Sequence, residues 1–182
     1  MSTDLKTIDW YNKHASDYTE HVRNPKDSIY HAYYEKPAMY SLVPDLAEKT
    51  VLSLGSGSGE DSSYLQSLGA KRSVGIDIAE ELVKIAQVSH PECEFHVMDM
   101  EKLDFPDESF DFVYSSLALH YIENWTQVFG QVWRTLKPGS YFLFSCMHPV
   151  RSAMIETKSD ESGYEKQIGV SKDRLNNILT IH

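Results

Sequence analysis

The 182-residue chain is 41% apolar and 24% charged, and its 17 Lys and Arg against 27 Asp and Glu leave a formal net charge of −10. That length and composition suit one globular domain with a real core, while the negative charge and dispersed basic residues exclude nucleic acid and favour a small-molecule partner. Two cysteines, Cys93 and Cys146, cannot build a disulfide framework, no stretch approaches the ~18 apolar residues of a membrane span, and the opening M-S-T-D-L-K-T-I-D-W lacks the basic-then-apolar pattern of a signal peptide. A cytoplasmic protein with no membrane partner is expected.

In chain order, two helical segments come first. One runs over Ile8–Val22 and carries Trp10, Tyr11 and Tyr18. The other covers Ser28–Val43, carries Tyr30, Tyr33, Tyr34 and Tyr40, and has Pro37 suited to a first helical position. From Thr50 to Met147 short apolar strands alternate with helices. The expected strands are Thr50–Leu54, Arg72–Ile76, Glu94–Met98, Phe110–Ser115 and Tyr141–Met147. Several are apolar throughout, as strands covered on both faces are. Among the helices, Glu80–Ser89 places Leu82, Ile85 and Ala86 on one face. Trp125–Leu136 does the same with Val128, Phe129, Val132, Trp133 and Leu136. Gly69 suits a helix C′ position, and Leu136-Lys137-Pro138-Gly139 reads as a turn. The alternation implies a doubly wound α/β fold with a mostly parallel sheet. Residues 1–49 then form a helical lid, 50–147 the core and 148–182 a polar tail, all within one domain.

The chemistry concentrates at Val51-Leu52-Ser53-Leu54-Gly55-Ser56-Gly57-Ser58-Gly59-Glu60. A strand runs into three alternating glycines and then a helix, so the backbone can turn sharply and a ligand can approach helix N–H groups. A glycine-rich turn with no ligand is the plainer reading. Asp77 follows 18 positions after Gly59, at the end of the next strand. A carboxylate there suits ribose hydroxyls, although it could instead cap the helix near Glu80. Together the two signals favour an adenosine ligand. Dinucleotide loops prefer a small sixth residue; Glu60 stands there, and a carboxylate disfavours a pyrophosphate. A ligand without phosphate and with a cationic sulfonium fits better.

Residues 50–147 resemble the class I S-adenosylmethionine-dependent methyltransferases, in particular the ubiquinone-biosynthesis-like small-molecule group. Gly55, Ser56, Gly57 and Gly59 resemble the cofactor loop, Gly75-Ile76-Asp77-Ile78 the ribose segment, and Val97-Met98-Asp99-Met100 the adenine segment. Phe110 to Tyr121, with Ser115, resembles the fourth-strand motif beside the acceptor, and Leu136-Lys137-Pro138-Gly139-Ser140 the turn before the fifth strand. Trp10 to Tyr18 resembles the helix that closes the cofactor site. The resemblance implies a Rossmann-like fold and methyl transfer from S-adenosylmethionine, releasing S-adenosylhomocysteine, to a small-molecule acceptor. It also implies cofactor contacts from Tyr18, Ser53, Ile78, Asp99 and Met100. Ser53 departs from the family's usual acidic residue, for which Glu60 or Asp61 could compensate. Tyr121 and Tyr33 are the candidate acceptor contacts. His120 and His148 are the candidate general bases, each with a plainer reading as a packed or pre-proline histidine. The histidines form no H-x₃-H or H-E-x-x-H pattern, so no metal is expected.

Members of the family usually follow the fifth strand with a hairpin of two more. After Met147 the candidate strand clusters are Ile168-Gly169-Val170 and Ile178-Leu179-Thr180-Ile181, which do not make a convincing pair. The expectation is therefore a C-terminally truncated form lacking the last two of seven strands. Its fifth strand would then sit at a sheet edge open to a homodimer. The alternatives are a non-catalytic methyltransferase-like binding domain and a nicotinamide-dependent oxidoreductase.

Overall fold

A computed structural model describes residues 3–148. Five strands form its sheet: β1 (Thr50–Leu54), β2 (Arg72–Asp77), β3 (Glu94–Val97), β4 (Phe110–Ser115) and β5 (Leu136–Phe144). The order is β3-β2-β1-β4-β5 and every pairing is parallel. The chain therefore steps outward from β1 to β3, then returns to the other side of β1 at β4. Ligands of open α/β sheets bind where that order reverses, outside the carboxyl ends of the strands.

The central strands are apolar because helices cover both faces. Helices α1 (Leu5–Lys13), α2 (Ala15–Arg23) and α3 (Lys36–Ser41) precede the sheet; α4 (Glu60–Ser67), α5 (Glu80–Ser89) and α6 (Trp125–Thr135) connect its strands. Alternate residues of β1 part to opposite sides. Leu52 and Leu54 join Val74, Ile76 and Val113 under Val128 and Val132 of α6, while Val51 joins Phe112 and Tyr114 under Met39 of α3 and Leu65 of α4. Each fully buried aliphatic side chain there contributes about 1.5–3 kcal/mol relative to an exposed one.

Three elements differ from the sequence expectation. The first helix is two helices. His14 leaves the helical region (φ −111°, ψ 21°), and its Nδ1 lies 2.8 Å from the Trp10 carbonyl oxygen. The break lets α1 and α2 pack separately against α5. In the second region a π-turn, His31–Glu35, precedes α3. Pro37 has no N–H for the α-helical bond to Tyr33, and the turn widens so that Lys36 donates to the His31 carbonyl instead. Lastly, β5 starts at Leu136, opposite Phe110. Residues 137–140 then loop out and pairing resumes at Tyr141 with Phe112. Lys137 Nζ binds both Asp111 carboxylate oxygens at 2.9 Å and so ties the loop to β4.

The strand ends also shift slightly: β2 reaches Asp77, β3 stops at Val97 and β5 stops at Phe144. Among the described residues β5 pairs only with β4. The expected tail, its two apolar clusters and the question of further strands lie outside the described residues.

Candidate active site

The carboxyl ends of β1, β2 and β4 open into a cavity of about 680 Å³, including the solvent space at its mouth. Its floor is the glycine loop. Gly55 has φ +66°, and a Cβ there would lie 2.4 Å from the Cβ of Ala118, so the β1 and β4 loops touch only because position 55 has no side chain. Gly57, at φ +53°, faces the ring of Tyr18. Gly59 serves packing instead. A Cβ at that position would meet Phe95 at 2.7 Å, so the missing side chain brings the start of α4 onto β3 and α5.

Asp77 ends β2 beside this loop. One carboxylate oxygen accepts the Gly57 N–H at 2.8 Å and the other the Ala79 N–H at 2.9 Å. The N-cap of α5 is Ala79, so the carboxylate braces the glycine loop rather than capping the helix. Burial pushes its pKa up against the downward pull of these backbone donors. Each carboxylate oxygen retains a lone pair for a further donor.

The β4 side is shaped by Leu117, which holds φ +49°. That left-handed conformation is uncommon for a branched side chain and concentrates at functional sites. Ser145 stabilises it, with its carbonyl oxygen 3.2 Å and its Oγ 3.1 Å from the Leu117 N–H. The turn puts Ser116, Leu117 and Ala118 in the cavity wall. From the far side α1 contributes Thr7, Ile8 and Tyr11, and the Tyr11 hydroxyl lies 2.7 Å from that of Tyr121. Burial and this bond push the Tyr11 pKa far above its ordinary value, so the phenol stays protonated.

Three carboxylates stand behind the loop. Glu60 accepts Arg23 Nε and Ser58 Oγ, both at 2.6 Å. Burial alone would raise its pKa, and those two bonds lower it. Asp61 accepts the Tyr40 hydroxyl at 2.5 Å and lies 3.2 Å from Lys36 Nζ. Glu35, at the end of the π-turn, accepts Ser116 Oγ at 2.9 Å and Ser145 Oγ at 2.5 Å on one oxygen. Its other oxygen is buried and has no hydrogen-bond partner among the described residues. His31 Nε2 lies 3.4 Å from that oxygen, outside hydrogen-bond geometry, and 3.4 Å from Ser116 Oγ. Burial and then the nearby Lys36 charge hold the His31 pKa below its ordinary value.

Residues 52–144, half of the chain, match the family model described as a methyltransferase domain. An uncharacterised protein of Haemophilus influenzae is 31% identical over 73% of this chain and 56% of its own length. The phthiotriol/phenolphthiotriol dimycocerosates methyltransferase 1 of Mycobacterium ulcerans is 33% identical over 65% of this chain and 45% of its own. The crystal structure of an S-adenosylmethionine-dependent methyltransferase from Mesorhizobium loti superposes with a TM-score of 0.63 at 34% identity, covering 66% of this chain and 56% of that one. The chain belongs to the class I S-adenosylmethionine-dependent methyltransferase family. It spans about half the length of the curated relatives it matches.

Within this methyltransferase domain the sequence candidates fall into three groups. Tyr18, Gly55, Gly57, Asp77, Ile78, Met100 and Tyr121 line the cavity. Ser53, Ser56, Gly59, Asp99 and Ser115 do not line it, but each stands within or beside an element that frames it. Ser53 is buried with its Oγ unbonded among the described residues, and Ser115 Oγ donates to the Leu54 carbonyl at 3.0 Å, joining β4 to β1. The third group is not among the wall residues. Tyr33 is 67% exposed on the π-turn, away from the cavity wall. His148 is exposed and falls outside the compact unit that ends at Cys146. His120 is half-buried with its ring 4.3 Å from that of Tyr121, and burial lowers its pKa. Sequence reasoning missed Ser116, Leu117, Ala118, Thr7 and Ile8 of the wall. The first three lie inside the quoted fourth-strand motif, which was the available signal. Among the described residues no group of His, Cys, Asp or Glu could hold a metal ion, and no helix is long and apolar enough to cross a membrane.

Proposed function

We propose that the cavity binds S-adenosylmethionine and that the domain transfers its methyl group to a small molecule. The observation that carries this reading is the Asp77 carboxylate in the wall of a cavity, braced by the Gly57 and Ala79 N–H groups. Its remaining lone pairs suit ribose hydroxyls. Met98, Met100, Ile78 and Leu82 line the same side of the cavity, a setting for an adenine ring, and Asp99 adjoins it. Tyr18 closes over Gly57, and the glycines let a ligand approach backbone that side chains would block.

When bound, the cofactor supplies a methyl group already activated on a sulfonium. The protein's part is positioning and the exclusion of water. In this reading α1 excludes water through Ile8 and the Tyr11–Tyr121 hydroxyl pair, and Tyr121 contacts the acceptor. An acceptor that loses a proton needs a base. His120 is kept neutral near pH 7 by its burial and packs at a tilt against Tyr121, which makes it our candidate to hold that proton. Isothermal titration with S-adenosylmethionine, S-adenosylhomocysteine and NAD tests the assignment. We expect binding of the first two and none of NAD; preference for NAD would overturn it. A radiolabelled-methyl screen against a metabolite extract then separates turnover from binding without catalysis.

A further inference from the structure

Of the three carboxylates behind the glycine loop, Glu35 alone has a charge that no cation answers among the described residues. Glu60 pairs with Arg23, and Asp61 with Lys36. The basic group beside Glu35 is His31, a neutral ring near pH 7 because burial and Lys36 disfavour its protonation. Two serine hydroxyls satisfy one Glu35 oxygen, and the other is buried without a hydrogen bond among the described residues. A buried carboxylate left in that state is costly, and an incoming cation would remove the cost. The carboxylate also adjoins the cavity, because the hydroxyl it holds belongs to the wall residue Ser116. Sheet order places Asp77 and Ser116 on opposite flanks of β1. A ligand that extends from Asp77 across the glycine loop therefore runs toward the Ser116 side of the cavity.

We propose that Glu35, with Ser116 and the π-turn that carries it, is a receptor for an organic ammonium group at the β4 side of the cavity. The inference rests on reading the cavity as the cofactor site. The group is either the α-ammonium of the cofactor's own methionine end or the amine of a methyl acceptor. In both cases it binds the Ser116 hydroxyl in the wall; Glu35 orients that hydroxyl, and its charge lies directly behind it.

Calorimetry on the full chain and on Glu35→Gln tests this. The variant removes the charge but keeps an oxygen for the two serines. The ligands are S-adenosylhomocysteine, 5′-deoxy-5′-methylthioadenosine, which lacks the amino-acid end, and 2-phenylethylamine added to the S-adenosylhomocysteine complex. We expect Glu35→Gln to weaken S-adenosylhomocysteine by about tenfold to a hundredfold and to leave methylthioadenosine unchanged, which also shows that the variant is folded. A loss confined to phenylethylamine assigns the site to the acceptor. Two results would overturn the ammonium site: equal loss for both nucleosides, or wild-type affinities throughout. If the unmodified chain binds neither nucleoside, the cofactor reading itself fails and the site falls with it.

Discussion

The Asp77 carboxylate fixes the Gly57 and Ala79 N–H groups, and the residue lines the cavity. Asp77→Ala therefore removes both the ribose contact we propose and the brace that shapes the loop. S-adenosylhomocysteine affinity should fall about tenfold to a hundredfold, roughly 1–3 kcal/mol; calorimetry showing unchanged affinity would remove Asp77 from the site. Gly55 is constrained differently. Any Cβ there meets Ala118 at 2.4 Å on a backbone with φ +66°. Gly55→Ala should cost about 1–3 kcal/mol through overpacking and strain. A urea unfolding midpoint equal to wild type would mean that the β1 and β4 loops separate freely. The same substitution at Gly130, where a Cβ meets nothing within 4 Å, is the matched control.

At the scale of elements, the loop-out in β5 holds an ion pair with a readable pH signature. Burial raises the Asp111 pKa, but the Thr50 N–H and Lys137 outweigh it and hold the carboxyl below its ordinary value. A carboxylate with a depressed folded pKa stabilises the fold above its unfolded value of about 3.9. That stability is lost as pH falls through the folded value. Lys137→Ala should therefore destabilise by about 0.5 kcal/mol near neutrality, a modest figure because Lys137 is part exposed. The gap to wild type should close in acid. Urea midpoints measured across that range check the sign; a gap that widens in acid contradicts it. This loop-out also shows where sequence legibility stops. Thr50–Leu54, Phe110–Ser115 and Glu80–Ser89 were readable to the residue because burial and helical periodicity determine them locally. The break at His14, the π-turn and the start of β5 at Leu136 were not. The first and last depend on packing or pairing partners distant in sequence; at the π-turn the missing Pro37 N–H is visible in the sequence, but the widening of the turn that answers it is not. The cavity followed the same rule. Asp77 and the glycines stand in contiguous motifs and were legible, whereas Thr7 and Ile8 reach the wall only through the tertiary placement of α1. The unanswered charge of Glu35 was invisible because its partners, Ser116 and Ser145, lie 81 and 110 positions away.

For the whole molecule, the net charge of −10 sets what approaches the cavity. Several basic side chains are already spent. Arg23, Lys36, Arg72, Lys84, Arg134 and Lys137 all sit in ion pairs, so no basic stripe is left among them for a phosphate backbone. The field instead favours cations. S-adenosylmethionine, with its sulfonium, ammonium and carboxylate, carries one net positive charge. S-adenosylhomocysteine has lost the sulfonium charge and is neutral overall, yet shares almost every other contact. Their difference in association rate therefore isolates the long-range field from the local fit. The Debye length falls from about 10 Å at 0.1 M salt to about 3 Å at 1 M. Added salt should slow S-adenosylmethionine association in stopped-flow measurements and leave S-adenosylhomocysteine nearly unaffected, with dissociation of both little changed. The exchange of product for fresh cofactor would then be biased by the protein's overall charge as well as by its site. Parallel salt dependence for the two ligands would confine the selection to local contacts such as those we propose at Asp77 and Glu35.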